Sequence, residues 1–181
     1  MSCNKCISIS YRILAILKLL PLMPKNDIRL SKNTMIAGSA DINLSSKGKL
    51  SIGRNFALLK DAQLTIRDNG HLSIGNDVSI GIRSFINCHD CISIGDNVEI
   101  AQDVKIYDHD HDIKNYSLDG VEWRRNFITK PVVIGSNVWI GANTIILKGT
   151  VIEDNCVIAA GSVIPGGVVE KGTVFIQKKV K

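Results

Sequence analysis

Aliphatic residues recur at every sixth position over most of this 181-residue chain. A period of six fits neither an α-helix nor a hairpin sheet. It predicts short strands separated by corners, with three sides closing one coil of about eighteen residues and successive coils stacked about 4.8 Å apart. The sequence therefore predicts an all-β parallel solenoid whose repeating aliphatic side chains point inward. The longest run is Ile134, Ile140, Ile146, Ile152, Ile158 and Ile164, preceded by Ile94, Ile100 and Ile106, by Ile74, Ile80 and Ile86, and by a weaker set of Ile36, Ile42, Ile52, Leu58 and Leu64.

The composition agrees with a thin, repetitive core. Hydrophobic residues make up 45% of the chain but aromatic residues only 5%, and the chain has fifteen glycines. Small residues often follow the repeating aliphatics, as at Gly53, Gly75, Gly95 and Ala101. Gly, Asn and Asp tolerate the positive φ angles and close approaches of tight corners. We expect these residue types at the corners of each coil.

The chain divides into three predicted segments. Residues 1–30 are predicted to hold an amphipathic helix, because residues 7–23 are apolar but include Arg12 and Lys18, which makes them a poor membrane span. This helix would pack on the protein body or lie on a membrane surface. The solenoid is predicted over residues 31–175 with a protruding loop at 107–131, and residues 176–181 form a basic tail.

Charge and cysteine content argue against several classes. The net charge is only +5, without a run of basic residues or an aromatic platform for bases, so no nucleic-acid partner is expected. Five cysteines without a disulfide framework or a cleavable signal peptide favour a reducing cytoplasm. The pairs Cys3/Cys6 and Cys88/Cys91 lie too far apart for common zinc-ribbon spacing. Cys156 lies inside a repeat and is expected in the core or at a corner.

Two segments carry a more specific signal. The first runs from Ile94 to Asp112, and the second from Pro131 to Ala142 with continuations at 146–149 and 159–163. They resemble the hexapeptide-repeat acyltransferases, in particular the galactoside, maltose and capsular-polysaccharide O-acetyltransferases. The resemblance implies a left-handed parallel β-helix, a homotrimer with active sites between subunits, acetyl-CoA as acyl donor and a saccharide as acceptor.

The repeats break once, between Ile106 and Ile134, and the interruption carries charged and aromatic residues. Loops on a rigid scaffold are where chemistry is expected. Acetyl transfer to a hydroxyl needs a general base, and imidazole is suited to this task at neutral pH. The resemblance places the catalytic base at His109, with His111 as the alternative. Asp108, Asp110 and Asp112 would orient the imidazole or solvate the loop. Adjacent side chains of an extended segment alternate in direction and so cannot all face one ion; no metal is expected.

The resemblance also implies further site residues. Its oxyanion donor would be the backbone N–H of Ala142, and Trp139 would form a wall of the CoA slot. The remaining cofactor positions would be Ala160, Pro165, Gly166 and Lys178, and the acceptor positions Asn87, His89, Asp108, His111 and Trp123. The segment Thr173–Lys179 departs from the family's usual ending, so adenine contacts do not transfer.

The sequence thus predicts an acetyl-CoA-dependent O-acetyltransferase of a sugar hydroxyl, active in surface or capsular polysaccharide synthesis. An acceptor carried on a lipid would give the N-terminal helix a role in peripheral contact with the inner membrane face. Two further hypotheses use the same scaffold: N-acetylation of an amino-sugar nucleotide, and serine O-acetylation, which the absence of a large helical domain disfavours. A non-catalytic β-helix scaffold is the alternative from a different class. The sequence does not identify the sugar, the hydroxyl, the pathway or an acyl group other than acetyl.

Overall fold

A computed structural model describes residues 17, 19, 21, 27–112 and 126–177 of the chain. Over these residues the chain forms short strands, most of them two to four residues long. In chain order they are β1 (Asp27–Leu30), β2 (Met35–Ile36), β3 (Asp41–Leu44), β4 (Lys49–Ile52), β5 (Ala57–Leu58), β6 (Gln63–Ile66), β7 (His71–Ile74), β8 (Ser79–Ile80), β9 (Phe85–Cys88), β10 (Cys91–Ile94), β11 (Glu99–Ile100), β12 (Lys105–Tyr107), β13 (His109–His111), β14 (Phe127–Thr129), β15 (Val132–Ile134), β16 (Trp139–Ile140), β17 (Ile145–Ile146), β18 (Thr150–Ile152), β19 (Val157–Ile158), β20 (Val163–Ile164), β21 (Gly167–Val169) and β22 (Val174–Phe175).

The strands stack into three parallel sheets, one for each side of the coil. Sheet A is β1-β4-β7-β10-β15-β18-β21, sheet B is β2-β5-β8-β11-β16-β19-β22, and sheet C is β3-β6-β9-β12-β17-β20. The described residues therefore make six three-sided turns and two strands of a seventh. The predicted parallel β-solenoid is confirmed, whereas its left-handed sense remains a prediction.

The length of one coil varies along the solenoid, which differs from the predicted uniform coil. Asp27 lies beside Lys49, 22 positions later, and His71 beside Cys91, 20 positions later. Near the C-terminus the spacing becomes 18, as between Val133 and Val151. The extra residues of the early coils lie in longer strands of sheets A and C. Each of these four-residue strands points two side chains inward, whereas a two-residue strand points one.

The core is a column of aliphatic side chains enclosed by the three sheets. Every aliphatic of the six-residue repeat is buried, and the run from Ile134 to Ile164 is at most 2% exposed at its six positions. In sheet B, for example, Ile80, Ile100 and Ile140 lie in register in successive coils. Cys156 is buried among these residues, as predicted. Each coil thus buries its inward side chains only because its neighbours cover them.

Corners use asparagine and aspartate in the left-handed conformation, as predicted. The described non-glycine residues with positive φ are Asn33, Asn55, Asp61, Asp68, Asp77, Arg83, Asn97, Asp103, Asn137, Asn143 and Asn155. Side-chain amides at one corner bond from coil to coil, with Asn97 donating to Asn137 at 2.8 Å. At Gly75 a Cβ atom would lie 2.5 Å from the carbonyl oxygen of Gly95, so the next coil requires glycine there.

The predicted N-terminal helix falls mainly outside the described residues. Leu17 and Leu19 are helical; Leu19 is fully buried, whereas Leu17 is 59% exposed. None of the helical residues that the structure describes belongs to a helix with the length and apolarity needed to cross a bilayer. The solenoid begins at Asp27 rather than at residue 31, because the alternating segment 27–30 pairs with β4. Of the predicted tail, residues 178–181 lie outside the described part.

Candidate active site

A short hairpin leaves the solenoid where the repeats break. After β12, strands β13 and β14 pair antiparallel, with His109 opposite Thr129 and His111 opposite Phe127. The base of the hairpin is tied to the coil, because the Lys130 N–H donates to the Asp108 carbonyl at 2.8 Å. The predicted loop at 107–131 is therefore a two-stranded projection at its base, and residues 113–125 lie outside the described part.

His109 is held by the buried carboxylate of the preceding residue. Its Nδ1 lies 3.1 Å from Oδ1 of Asp108, a side chain with no exposed surface. The same carboxylate accepts the backbone N–H groups of His89 at 2.9 Å and Asp90 at 2.7 Å. Burial by itself would raise the pKa of Asp108, but hydrogen bonds from His109, His89 and Asp90 outweigh it and lower that pKa. The ionised carboxylate accepts a hydrogen bond from Nδ1 of His109. The other ring nitrogen of His109 is then available for proton transfer.

His89 lies directly against His109. The two imidazole centroids are 3.8 Å apart at an interplanar angle of 33°, and His89 is 7% exposed. Phe127 contacts both rings, with centroids 4.5 Å from His89 and 5.3 Å from His109. Burial, and then the proximity of His109, lowers the pKa of His89, so this ring is neutral at neutral pH. The register of the coils, not proximity in sequence, creates this pair of histidines.

An open cleft adjoins the pair of histidines. It has a volume of about 510 Å³ and is lined by Asp68, His89, Asp112, Asn126, Phe127 and Thr129. Polar and aromatic groups of this kind suit a hydroxyl-rich ligand. The aromatic ring can pack on an apolar face of the ligand, and the carboxylates can accept hydrogen bonds from its hydroxyl groups. The cleft is formed jointly by the solenoid corner and the hairpin.

The alternative base, His111, occupies a different environment. It is exposed, and its ring centroid lies 4.7 Å from that of Phe127. Asp110, between the two histidines, points elsewhere and pairs with Lys148. Within β13, His109 is buried and the next two residues are exposed. His109 is the histidine that the Asp108 carboxylate holds.

The other predicted acceptor residues are Asp108, Asn87 and Trp123. The Asp108 carboxylate is buried and bonded to His109 and to two backbone N–H groups, so its predicted contact with the acceptor remains a prediction. Asn87 is half-buried on β9, and its Oδ1 has no hydrogen-bond partner in the described part of the chain. Trp123 lies outside the described residues.

The predicted CoA residues lie on two corners and one face of the solenoid. Trp139 is 55% exposed on sheet B, and Ala142 and Ala160 stack at the corner leading to sheet C, where the Gly161 N–H donates to the Ala142 carbonyl. Pro165 and Gly166 lie at the corner between sheets C and A. Lys178 lies outside the described residues.

His109 and Ala142 lie at opposite ends of one solenoid side. Lys148, which pairs with Asp110 of the hairpin, lies after β17 at the corner between sheets C and A, whereas Ala142 lies before β17 at the corner between sheets B and C. His109 and Ala142 therefore belong to different corners of the solenoid.

Two contributors to the site were not predicted from the sequence. Phe127 contacts three histidine rings, and Asp68 has a carboxylate oxygen 3.3 Å from Nδ1 of His89. Asp68 could have been identified only from the coil length, which changes from 22 to 20 residues in this region. Phe127 could have been identified only if the partner strand of the hairpin had been known.

Two cysteines, Cys88 and Cys91, lie near the candidate site. Cys88 is fully buried in sheet C, and burial, with the nearby Asp108, raises the pKa of its thiol. Burial also raises the pKa of the Cys91 thiol, which is partly exposed. Within the described part of the chain no three His, Cys, Asp or Glu side chains are grouped closely enough to hold a metal ion.

Comparison with known proteins supports the repeat assignment. Residues 131–166 match the family described as bacterial transferase hexapeptide (six repeats), and residues 71–102 match the hexapeptide repeat of succinyl-transferase. The chain has no significant match among curated protein sequences.

Several solved structures share the fold. AntD, an N-acyltransferase from Bacillus cereus in complex with dTDP and 3-hydroxybutyryl-CoA, is 22% identical with a TM-score of 0.63, covering 79% of this chain and 73% of AntD. A variant of AntD with dTDP-4-amino-4,6-dideoxyglucose and coenzyme A is 22% identical with a TM-score of 0.65, covering 81% and 75%. A maltose O-acetyltransferase from Clostridium difficile 630 is 26% identical over 76% of this chain and 62% of that one, but its TM-score of 0.45 is too low to support a comparison.

At these identities the solved structures establish the fold and not the substrate. The matched repeats coincide with the coils before and after the hairpin, so the family pattern flanks the Asp108–His109 pair on both sides. Residues 71–102 and 131–166 are hexapeptide repeats of the kind found in bacterial transferases, and they build the three-sided solenoid that carries this site.

Proposed function

We propose that the chain is an acyltransferase of the hexapeptide-repeat family that transfers an acetyl group from acetyl-CoA to a sugar hydroxyl. The observation that carries this proposal is the buried Asp108 carboxylate bonded to His109, whose ring packs on His89 in the lining of an open polar cleft. Such a pair fixes the imidazole tautomer and supports its action as a general base. No covalent intermediate on the enzyme is required.

The proposed reaction is a direct transfer. His109 takes the hydroxyl proton as the acceptor oxygen attacks the thioester carbonyl, forming the C–O bond. The resulting oxyanion collapses, the C–S bond breaks, and the proton passes from His109 to the departing sulfur. The backbone N–H of Ala142 is the proposed oxyanion donor, and within the described part of the chain it makes no hydrogen bond.

The separation of His109 from Ala142 supports a homotrimer. A neighbouring subunit would bring its Ala142 corner, with Trp139 and Ala160, against the hairpin of the first. The apolar outer residues of the last coils support such burial, since Trp139 and Val174 are 55% and 62% exposed in the single chain. In this arrangement each site takes its base from one chain and its oxyanion donor from the next.

O-acetylation is proposed over N-acetylation because an alkyl hydroxyl needs a base as it attacks, and the site provides one. The acyl group, the sugar and its hydroxyl are left to experiment. A role in surface polysaccharide synthesis in the cytoplasm belongs to this proposal. AntD, an N-acyltransferase with the same fold, makes amino-sugar nucleotides a necessary part of the test.

The test is release of coenzyme A from acetyl-CoA by the purified chain with a panel of neutral sugars, amino sugars and sugar nucleotides. Coenzyme A should be quantified by chromatography, because the partly exposed Cys91 would react with a thiol dye. Turnover with a sugar lacking an amino group supports the proposal. Turnover with amino sugars alone favours the N-acyl alternative, and absence of both turnover and CoA binding favours a non-catalytic scaffold.

The N-terminal segment is proposed to contact a membrane surface. Leu17 is exposed and Leu19 is buried, so substituting each separates membrane contact from packing on the solenoid. We expect the chain to float with anionic liposomes and Leu17→Glu to reduce flotation without lowering the melting temperature. Leu19→Ala should instead lower the melting temperature. Flotation that is equal for wild type and Leu17→Glu, or absent in both, contradicts membrane contact through this face.

The lowered pKa of His89 predicts a pH dependence of stability. Since the folded-state pKa lies below the ordinary value of 6.5, the unfolded chain binds more protons between the two values, and the free energy of unfolding falls as pH falls through that range. We expect His89→Phe to flatten the curve as the pH falls below about 6.5, measured by urea denaturation. An unchanged slope in that range contradicts a buried neutral His89.

A further inference from the structure

The placement of His89 is unusual for a residue that only fills space. It lies at the corner between β9 and β10, one coil before the hairpin, yet its ring packs on His109 with centroids 3.8 Å apart and a tilt of 33°. A single buried carboxylate joins them, because Asp108 accepts from the His89 backbone N–H and from the His109 side chain. The Asp108 carboxylate therefore links the two residues that carry these rings.

The nitrogen chemistry of His89 argues against direct contact with an acceptor through Nδ1. That atom is buried and makes no hydrogen bond in the described part of the chain, although Oδ2 of Asp68 lies 3.3 Å away. A buried imidazole nitrogen without a hydrogen bond is destabilising relative to a satisfied one. The Asp68 carboxylate is the polar group that lies beside this nitrogen.

The surroundings restrict the His109 ring on several sides. His89 covers one face, Phe127 meets it edge-on at an interplanar angle of 89°, and Tyr107 meets it at 83° with centroids 6.0 Å apart. The Asp108 hydrogen bond fixes one nitrogen but leaves rotation about that bond. The flat face of His89 removes the remaining freedom.

We propose that His89 is a positioning residue for His109, fixing the plane of the catalytic imidazole by packing its ring closely against that imidazole, with the Asp68 carboxylate beside its own Nδ1. The proposal rests on the proposed acyltransfer and assigns His89 no contact with the reacting atoms. The charged and titratable groups around His89 are His109, Asp108, Asp68, Arg67 and Asp112. The flat ring, rather than its charge, is the feature that acts.

The test uses two apolar replacements of similar volume. His89→Phe keeps a flat ring, whereas His89→Leu fills the space without one. We expect His89→Leu to lower kcat by about 100-fold with little change in either KM, and His89→Phe to retain most of kcat. His71→Ala, on the exposed outer face of sheet A, is the matched histidine control and should leave kcat unchanged.

Two outcomes overturn the proposal. Equal kcat for His89→Leu and wild type would show that the ring does not position the base. A raised acceptor KM with unchanged kcat would make His89 a substrate contact. Circular dichroism melts of both variants exclude loss of folding, and if His89→Leu does not fold, loss of kcat in folded His89→Phe contradicts the proposal.

A second readout does not depend on turnover. Imidazole ¹⁵N NMR of the substrate-free protein should show the signal of the proton bound to Nδ1 of His109 in wild type and in His89→Phe. In His89→Leu this signal should disappear, because the proton exchanges faster with water. If wild type releases no coenzyme A while this pattern holds, the proposed function fails and the positioning role stands. If turnover occurs while the signal is the same in all three proteins, the positioning role fails alone.

Discussion

Replacing His109 by alanine is expected to lower kcat for acetyl transfer by about 10²- to 10⁴-fold. The variant loses the general base while the solenoid that places both substrates is preserved. KM for acetyl-CoA should change little, because that substrate is proposed to bind mainly through the other corner and its neighbour. Initial rates of coenzyme A release, with both substrates varied, give the two parameters separately.

Two companion variants make the His109 result specific. His111→Ala tests the alternative base, and we expect near wild-type kcat because its ring is exposed and the Asp108 carboxylate bonds to His109. Asp108→Asn keeps the shape of the side chain but weakens acceptance from His109 and from two backbone N–H groups, so kcat should fall. Loss of activity only in His111→Ala would transfer the catalytic role to that histidine.

Truncating Ile100 to alanine is expected to destabilise the folded chain by about 2 to 5 kcal/mol. Ile100 has no exposed surface and lies between Ile80 and Ile140 in the middle of sheet B. The loss combines reduced burial with a cavity that two neighbouring coils cannot close, because their backbones are fixed by hydrogen bonds on both sides. Urea denaturation followed by circular dichroism measures the change.

The adjacent residue provides the control for this core substitution. Glu99 is exposed on the outer face of β11, so Glu99→Ala should change the free energy of unfolding by no more than about 0.5 kcal/mol. A solenoid can unfold in stages, so the Ile100→Ala transition should be compared by two probes before a single free energy is fitted. Similar midpoints for both variants would contradict the inward-facing ladder.

The solenoid itself was predictable from local pattern. A strand side can bury its inward residue only at a fixed spacing, so the run from Ile134 to Ile164 predicts both the strand length and the corners. Asn and Asp supply the left-handed corners because their short polar side chains tolerate positive φ. These requirements act within a few residues of the chain, and sequence reasoning can therefore reach them.

The candidate site was predictable only in part. His109 could be identified from its place at the break in the repeats, but the buried role of Asp108 and the packing of His89 on His109 could not. Those contacts join residues 19 or 20 positions apart, and their register depends on a change in coil length that the six-residue pattern does not specify.

The sequence by itself determined which residues face the core, that the strands stack in parallel, and where the chain leaves the coil. The tertiary structure alone decided which side chains meet at that exit. The physical reason is that inward packing is enforced anew in every coil, whereas lateral neighbours depend on the accumulated length of all the corners between them. His89 reaches His109, and Asp68 reaches His89, only through that accumulated register.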